Sequence, residues 1–408
     1  MKEANNSTWM TLAILMATQF VMSMGAFSFG PLAPFFRDTL GISRGEVGSL
    51  IAVFYFTATL AAVPAGIFVD RLGARPLLIL CLFLEGIPYG AMSFAESFVT
   101  IGICSALSGI GYGFINQVST KGIMNWFAPA QRGTAMGIKQ SGVTFGAAGV
   151  AWLLPLLAVA YSWQIGVGVV GLSMFSMALI SFLFYREHPP DAGVAAPRIS
   201  EDQGGPSLRA VLSQPTLLAL MLTVPFLAFS NGCAVSFLVL YLKEQVQLPV
   251  ELAGQCMTAS MIAAAVGRVS WGMMSDRLFA GDRLQPVIIV SVLGAVSALG
   301  TALLTPSSAL GLIFFWSILL GFSLSGWNGL VMVLSAELGG RQRAASVVSV
   351  VITVLGMGFL SGTLVFGIVA DHAGYFPSWL LVVVTSLCSV AGFVRVAALQ
   401  RQNRRPCA

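Results

Sequence analysis

Gly66-Ile-Phe-Val-Asp70-Arg71-Leu-Gly73-Ala-Arg75 is a charged, glycine-punctuated turn set between two apolar runs, and its wording returns half a chain-length later as Gly272-Met-Met-Ser-Asp276-Arg277-Leu278. Gly-x-x-x-Asp-Arg-Leu is reproduced position for position. On a helix Gly66 and Asp70 share a face, and the absent side chain at Gly66 lets a neighbouring helix come close. Arg71 and Arg75 mark the cytoplasmic side of a membrane, because short loops rich in Lys and Arg stay inside. A 408-residue chain with this turn twice at that offset reads as two related halves, each carrying it after its second helix.

Composition reaches the membrane independently. Hydrophobic residues make up 57% of the chain and charged residues 9%, against about a quarter charged in a soluble domain. Apolar runs long enough to cross a bilayer are expected at 9–36, 45–69, 76–95, 98–127, 132–160 and 163–185, then at 210–243, 248–275, 284–304, 307–337, 344–371 and 376–399. The fold class is therefore all-α integral membrane, with twelve transmembrane helices in two pseudo-symmetric six-helix bundles. The bundles are expected at 1–185 and 209–408, the second with a short basic tail, joined by a cytoplasmic linker at 186–208 rich in Pro, Gly and charge. With both termini inside, 15 of the 21 Lys and Arg fall on the cytoplasmic side, and the opposite orientation inverts that ratio. The net charge of +5 is then an orientation signal that calls for no nucleic-acid partner. The first apolar run is too long for a cleaved leader and is read as the first helix.

The duplicated turn resembles the signature of the major facilitator superfamily, roughly Gly-x-x-x-Asp-Arg-x-Gly-Arg between the second and third helices. The first copy matches at Gly66, Asp70, Arg71, Gly73 and, one place late, Arg75. The second keeps Gly272, Asp276 and Arg277, with Asp282 and Arg283 beyond. The resemblance implies a secondary transporter of the bacterial inner membrane, with these turns latching the halves together on the cytoplasmic side. Trp126 to Gly142 reads Trp-Phe-x-Pro-x-x-Arg-Gly-x-Ala-Met-Gly-Ile-Lys-Gln-x-Gly. That hairpin resembles cyanate permease-like and nitrate/nitrite porters and, more distantly, organic anion symporters and the oxalate/formate exchanger. The fourth-helix arginine of proton-coupled drug antiporters is replaced by Ser105 before Gly109, and their Gly-Pro pair by Gly146-Ala147.

The polar residues inside spans are the site candidates. On the fourth helix Gly113, Gln117 and Lys121 line one stripe while Tyr112, Asn116 and Thr120 line the next. On the fifth, Lys139 lies about 10 Å deep at 1.5 Å per residue, followed by the small-residue face Gly142, Gly146 and Gly149. Two ammonium groups on adjacent helices, with no acid close in sequence, suit an anion that would offset their desolvation. Lys121 could also reach water along its stem. Gln19 on the first helix must face protein or water, since an amide facing lipid is unsatisfied. In the second half, Asn231-Gly232 reads as a mid-span break, and Gly326-Trp327-Asn328-Gly329 as a half-unwound polar segment of the kind that coordinates substrates. Arg268 reads as a structural partner of the cytoplasmic turns.

Glu85 is the carboxylate well inside a span. It is either a proton-coupling site or a neutral group bonded to a neighbouring helix.

Together these features predict transport of a small anionic metabolite by alternating access, as proton-coupled symport or anion exchange. The substrate-binding residues are Lys139, Lys121, Asn116, Gln117, Tyr112, Trp327, Asn328, Asn231 and Gln19, with Glu85 for the proton. The inner gate is Gly66, Asp70, Arg71, Arg75, Arg268, Asp276 and Arg277. Export of amphipathic or aromatic compounds is the alternative, favoured by the Phe and Met content. No nucleophile–base constellation, metal-ligand spacing or phosphate loop points to an enzyme, a metal or a cofactor. The lipid bilayer, the anion and a coupling proton or counter-anion are the expected partners of a monomer.

Overall fold

The computed structural model describes the backbone of residues 2–127, 131–186 and 214–404, and the side chains of all of these except 2–7, 63, 70, 133, 134, 340–346, 349, 403 and 404. The expected linker, at 186–208, lies outside the described residues but for Arg186. So do Cys407 and the side chain of Asp70.

The first unit, Met1–Ala196 with Pro249–Thr258, contains α1 (Lys2–Ala26), α2 (Phe29–Leu40), α3 (Arg44–Leu72), α4 (Ala74–Met92), α5 (Phe98–Trp126), α6 (Arg132–Ala160) and α7 (Trp163–Phe184). The second, Pro197–Leu248 with Ala259–Ala408, contains α8 (Pro215–Glu244), most of α9 (Val250–Arg277), α10 (Leu284–Ala302), α11 (Leu310–Leu320), a π-turn (Gly321–Ser325), α12 (Asn328–Ala373) and α13 (Tyr375–Arg404). Among the described residues twelve stretches are long and apolar enough to cross a membrane.

Local signals set the boundaries. Ser43 and Glu46 form a capping box at the start of α3, with Glu46 N donating to Ser43 Oγ at 3.1 Å and Ser43 N to Glu46 Oε2 at 2.7 Å. Ser97 and Ser162 cap α5 and α7 from one side only, their hydroxyls accepting from the amides of Thr100 and Ile165. The signature residue Gly73 carries φ +85° and its amide closes on Val69 O, so this position favours glycine. In the second copy the turn runs on through Ala280 and Gly281, with φ +50° and +84°.

The two units repeat one packing plan. In the first, α1 packs on α6, α4 on α7 and α3 on α5; in the second, α8 packs on α12 and α10 on α13. The eighth and tenth spans meet where a Cβ on Gly267 would come within 2.7 Å of Phe322 O. First with fifth, second with fourth, and third with sixth thus recur as seventh with eleventh, eighth with tenth, and ninth with twelfth. Large apolar side chains such as Phe56, Leu60, Ile87 and Leu183 stay exposed, as a lipid-facing surface requires.

Four sequence expectations are corrected. The first span is not one helix: it breaks at Phe27–Ser28, helped by Pro31, which lacks the amide that would close on Phe27 O. The seventh span has no break at Asn231-Gly232, because α8 runs unbroken there and Gly232 instead lets α12 approach, where a Cβ on it would come within 2.6 Å of Phe359 O. Nothing among the described residues comes within 4 Å of a Cβ built on Gly66 or Gly272. The glycines that bring helices together lie elsewhere, at Gly113 of α5 and at Gly142 and Gly146 of α6. Finally, helix continues through residues 340–349, so α12 holds the end of the tenth span and all of the eleventh.

Candidate functional site

In the first unit, the tight α1–α6 seam positions the polar groups. A Cβ on Gly142 would come within 2.5 Å of Met16 O and 3.3 Å of Gln19 Cβ, and one on Gly146 within 3.0 Å of Ser23 Cβ. Gln19 is fully buried there, with neither amide atom hydrogen-bonded. One turn before Gly142, Lys139 is 3% exposed and donates from Nζ to Asn116 Oδ1 of α5 at 3.3 Å. No carboxylate among the described residues pairs with it. Asn116 itself is exposed in mid-span, as is Gln140 beside Lys139, and polar groups at that depth require water rather than lipid around them.

The two stripes of α5 separate. Gln117 donates from Nε2 to Ala62 O of α3 at 3.3 Å, and Gly113 abuts Ala58 and Ala61 of the same helix. That stripe is a packing face, and Lys121 follows on it. Five residues separate Asn116 from Lys121, which places them about 140° apart around the helix. Tyr112 stands edge-on to Tyr55 of α3, with ring centroids 6.4 Å apart. At the family's arginine position, Ser105 donates to Leu50 O at 2.7 Å, so this turn of α5 serves packing on α3.

In the second unit the π-turn gathers the candidates. Asn231 Nδ2 donates to Leu324 O at 2.6 Å and to Ser325 Oγ at 2.7 Å. Trp327 Nε1 donates to Leu324 O and Trp271 Nε1 to Phe322 O, while Arg268 Nε reaches Ser325 O at 3.4 Å. A π-turn leaves carbonyls without their regular helical donors, and these side chains supply them. Trp327 is therefore buried as a brace while Asn328 is exposed. Arg268 thus joins this constellation.

At the second signature turn, Arg283 organises the charges. It pairs with Asp276 and with Glu337, the latter at 3.2 Å, and donates to Ser275 Oγ at 2.9 Å. Arg277 is exposed. In the first copy, Arg75 donates to Phe182 O at 2.7 Å and lies over the Phe182 ring at 5.7 Å, and Arg71 is exposed. Sequence reasoning missed Arg283 and Glu337 as partners. The displaced basic residue after the second copy was the available signal for Arg283, whereas nothing local marks Glu337.

Twelve spans in two repeated bundles, with buried polar groups in each, are the architecture of a membrane transporter. The family model of the Major Facilitator Superfamily matches residues 15–363 and 220–406, and the chain belongs to that family. It is 27% identical over 251 residues to a hexuronate transporter of Bacillus subtilis (strain 168), a match spanning 60% of this chain and 59% of that protein. It is 22% identical to the membrane sensor protein UhpC of Salmonella typhimurium, over 91% of this chain and 84% of that one. It is also 22% identical to the probable sulfoacetate transporter SauU of Cupriavidus necator, over 92% and 90%. A solved bacterial homologue of the human lysosomal transporter Spinster, inward-facing and unoccupied, matches with TM-score 0.84 at 19% identity, over 98% of this chain and 99% of that one. That likeness is one of fold.

Proposed function

We propose that the chain is a secondary active transporter that moves a small organic anion across a bacterial inner membrane by alternating access, with both termini cytoplasmic. A proton or a counter-anion is the coupling partner. The observation that carries this reading is Lys139, buried with one neutral amide oxygen as its partner. An ammonium held in that way is destabilising until an anion joins it. Gln19, one turn along the same seam, offers a buried donor and acceptor that a hydroxylated carboxylate can meet. Relatives named for hexuronate and sulfoacetate carry anions of this class. Asn116 and Tyr112 would shape the first-unit site, and Asn231 and Asn328 the polar segment of the second.

The test is ligand-induced thermal stabilisation of the purified protein with D-galacturonate, sulfoacetate, glucose and an aromatic cation, in wild type and Lys139→Met. Stabilisation by the anions alone, lost in the variant, is the expected result. Stabilisation by the aromatic cation in both proteins would turn the reading to an exporter. The likeness to a membrane sensor supplies a second reading, in which the chain binds its anion without accumulating it; uptake into proteoliposomes separates the two.

A further inference from the structure

Glu85 on α4 is fully buried, and neither carboxyl oxygen has a hydrogen-bond partner. Its surroundings are close on every side. A Cβ on Gly111 of α5 would come within 2.8 Å of Glu85 N and 3.1 Å of its Cβ. A Cβ on Gly25 of α1 would collide with Glu85 Oε1, while lying 2.7 Å from Met174 Cε and 3.2 Å from Tyr89 Cε2. Its titratable neighbours are Cys81 and Tyr89 on its own helix, Tyr55 on α3 and, behind Tyr55, Tyr112 on α5. All four are ordinarily uncharged near pH 7. Helix α1 contributes Gly25, the break after it Ser28 and α7 Met174, and no cation among the described residues faces the carboxyl. The packing has room for a proton but not for a metal ion with six or more oxygen ligands.

The same spot holds the break in the first span. Tyr89 Oη donates to Gly25 O, and Ser28 Oγ donates to that oxygen at 2.9 Å and lies 2.8 Å from Tyr89 Oη. Tyr55 Oη reaches Ala26 O at 3.4 Å. Tyr89 follows Glu85 by one helical turn, so the hydroxyl that holds the break and the unmatched carboxyl converge on one glycine.

We propose that Glu85 is a proton-binding site that controls the break in the first span. With the proton bound, the carboxyl is neutral and Tyr89 donates to Gly25 O. When Glu85 gives its proton to water, the carboxylate becomes the stronger acceptor. Tyr89 keeps its own proton and swings it from Gly25 O to Glu85, so the turn at Gly25–Ser28 is loosened by one hydrogen bond while Ser28 N and Ser28 Oγ still donate to Gly25 O. Gln19 sits six residues before Gly25, about 9 Å along α1, against the helix that carries Lys139. The proton and the anion would therefore act on one helix. That coupling rests on the anion reading; the proton switch does not.

Two measurements on protein without added substrate test it, in wild type, Glu85→Gln, Tyr89→Phe and Lys139→Met. Infrared difference spectra between mildly acidic and mildly alkaline buffer should show loss of a hydrogen-bond-free carboxylic acid band, absent in Glu85→Gln and kept in Lys139→Met. Hydrogen exchange at residues 25–30, corrected for intrinsic rates, should become about fivefold faster in alkaline buffer, the loss of one hydrogen bond, with α8 unchanged. Glu85→Gln should stay at the slow value throughout, and Tyr89→Phe at the fast one. A carboxyl band that does not titrate, or that survives in Glu85→Gln, overturns the proposal. So does exchange at 25–30 that ignores pH in wild type. Should Glu85→Gln not fold, Tyr89→Phe decides, because slow exchange in that variant removes the tether on which the switch depends. If no anion stabilises the protein while both signals persist, the anion reading fails alone.

Discussion

Replacing Lys139 by methionine separates a functional cation from a structural one by the sign of its effect. The two side chains are similar in length, so the 3%-exposed site keeps its packing and no cavity opens. What disappears is a buried ammonium whose partner, Asn116 Oδ1 at 3.3 Å, is neutral and can turn to water. Removing poorly compensated buried charge is worth about 1–4 kcal/mol of stability. Lys139→Met should therefore unfold at a higher apparent temperature than wild type when no anion is present. With an anion the order should reverse. Truncating one partner of a buried charged contact costs about 2–5 kcal/mol of binding, a loss in affinity of about 30-fold at the low end. At a concentration 100 times its Kd, a ligand adds about 2.7 kcal/mol, and after a 30-fold loss about 0.9 kcal/mol, so at least about two-thirds of the wild-type shift with D-galacturonate should vanish. The assay is thermal unfolding with and without the anion, with glucose as control. A variant that is less stable than wild type and still answers to the anion would refute the reasoning and make Lys139 structural.

Three further outcomes follow from the geometry. Asn231→Ala removes two short hydrogen bonds to the π-turn, and should lower apparent stability by about 1–3 kcal/mol while speeding hydrogen exchange at residues 321–327. Gly142→Ala puts a methyl 2.5 Å from Met16 O and should cost about 1–3 kcal/mol by overpacking; Gly66→Ala meets nothing within 4 Å and should be neutral or slightly stabilising, as unfolding of the two variants would show. Arg283→Ala breaks two partly exposed ion pairs and should cost about 1 kcal/mol or less, weakening further in high salt, whereas Arg277→Ala should leave unfolding unchanged.

The membrane architecture was legible because it is written in composition and repetition. A repeated Gly-x-x-x-Asp-Arg-Leu and twelve apolar runs need no tertiary information. Lys139 and Asn116 could be nominated singly, since ammonium and amide groups are rare inside spans. Their pairing needed the α5–α6 geometry. The same nomination put Lys121 with them, and only the packing of Gln117 against Ala62 shows that this stripe faces α3. The break at Phe27–Ser28 is held by Tyr89, 61 positions beyond Ser28, and the π-turn by Asn231 and Trp271, so no local window contains their cause. Asn231 was read as a break because Asn-Gly is a turn signal; within α8 it instead mends the irregularity of another helix.

The seam between α1 and α6 has one more consequence. It is built from backbone against backbone at Gly142 and Gly146, with no side chain between whose size could be varied. The spacing of these two helices is thus beyond the reach of gradual mutation, since each step up from glycine is a collision. Diversification of what this protein carries has to run through positions that flank the seam, such as Asn116 and Gln140, which are exposed and can change without moving a helix. A library aimed at altered substrate range should spend its diversity there and hold the two glycines fixed.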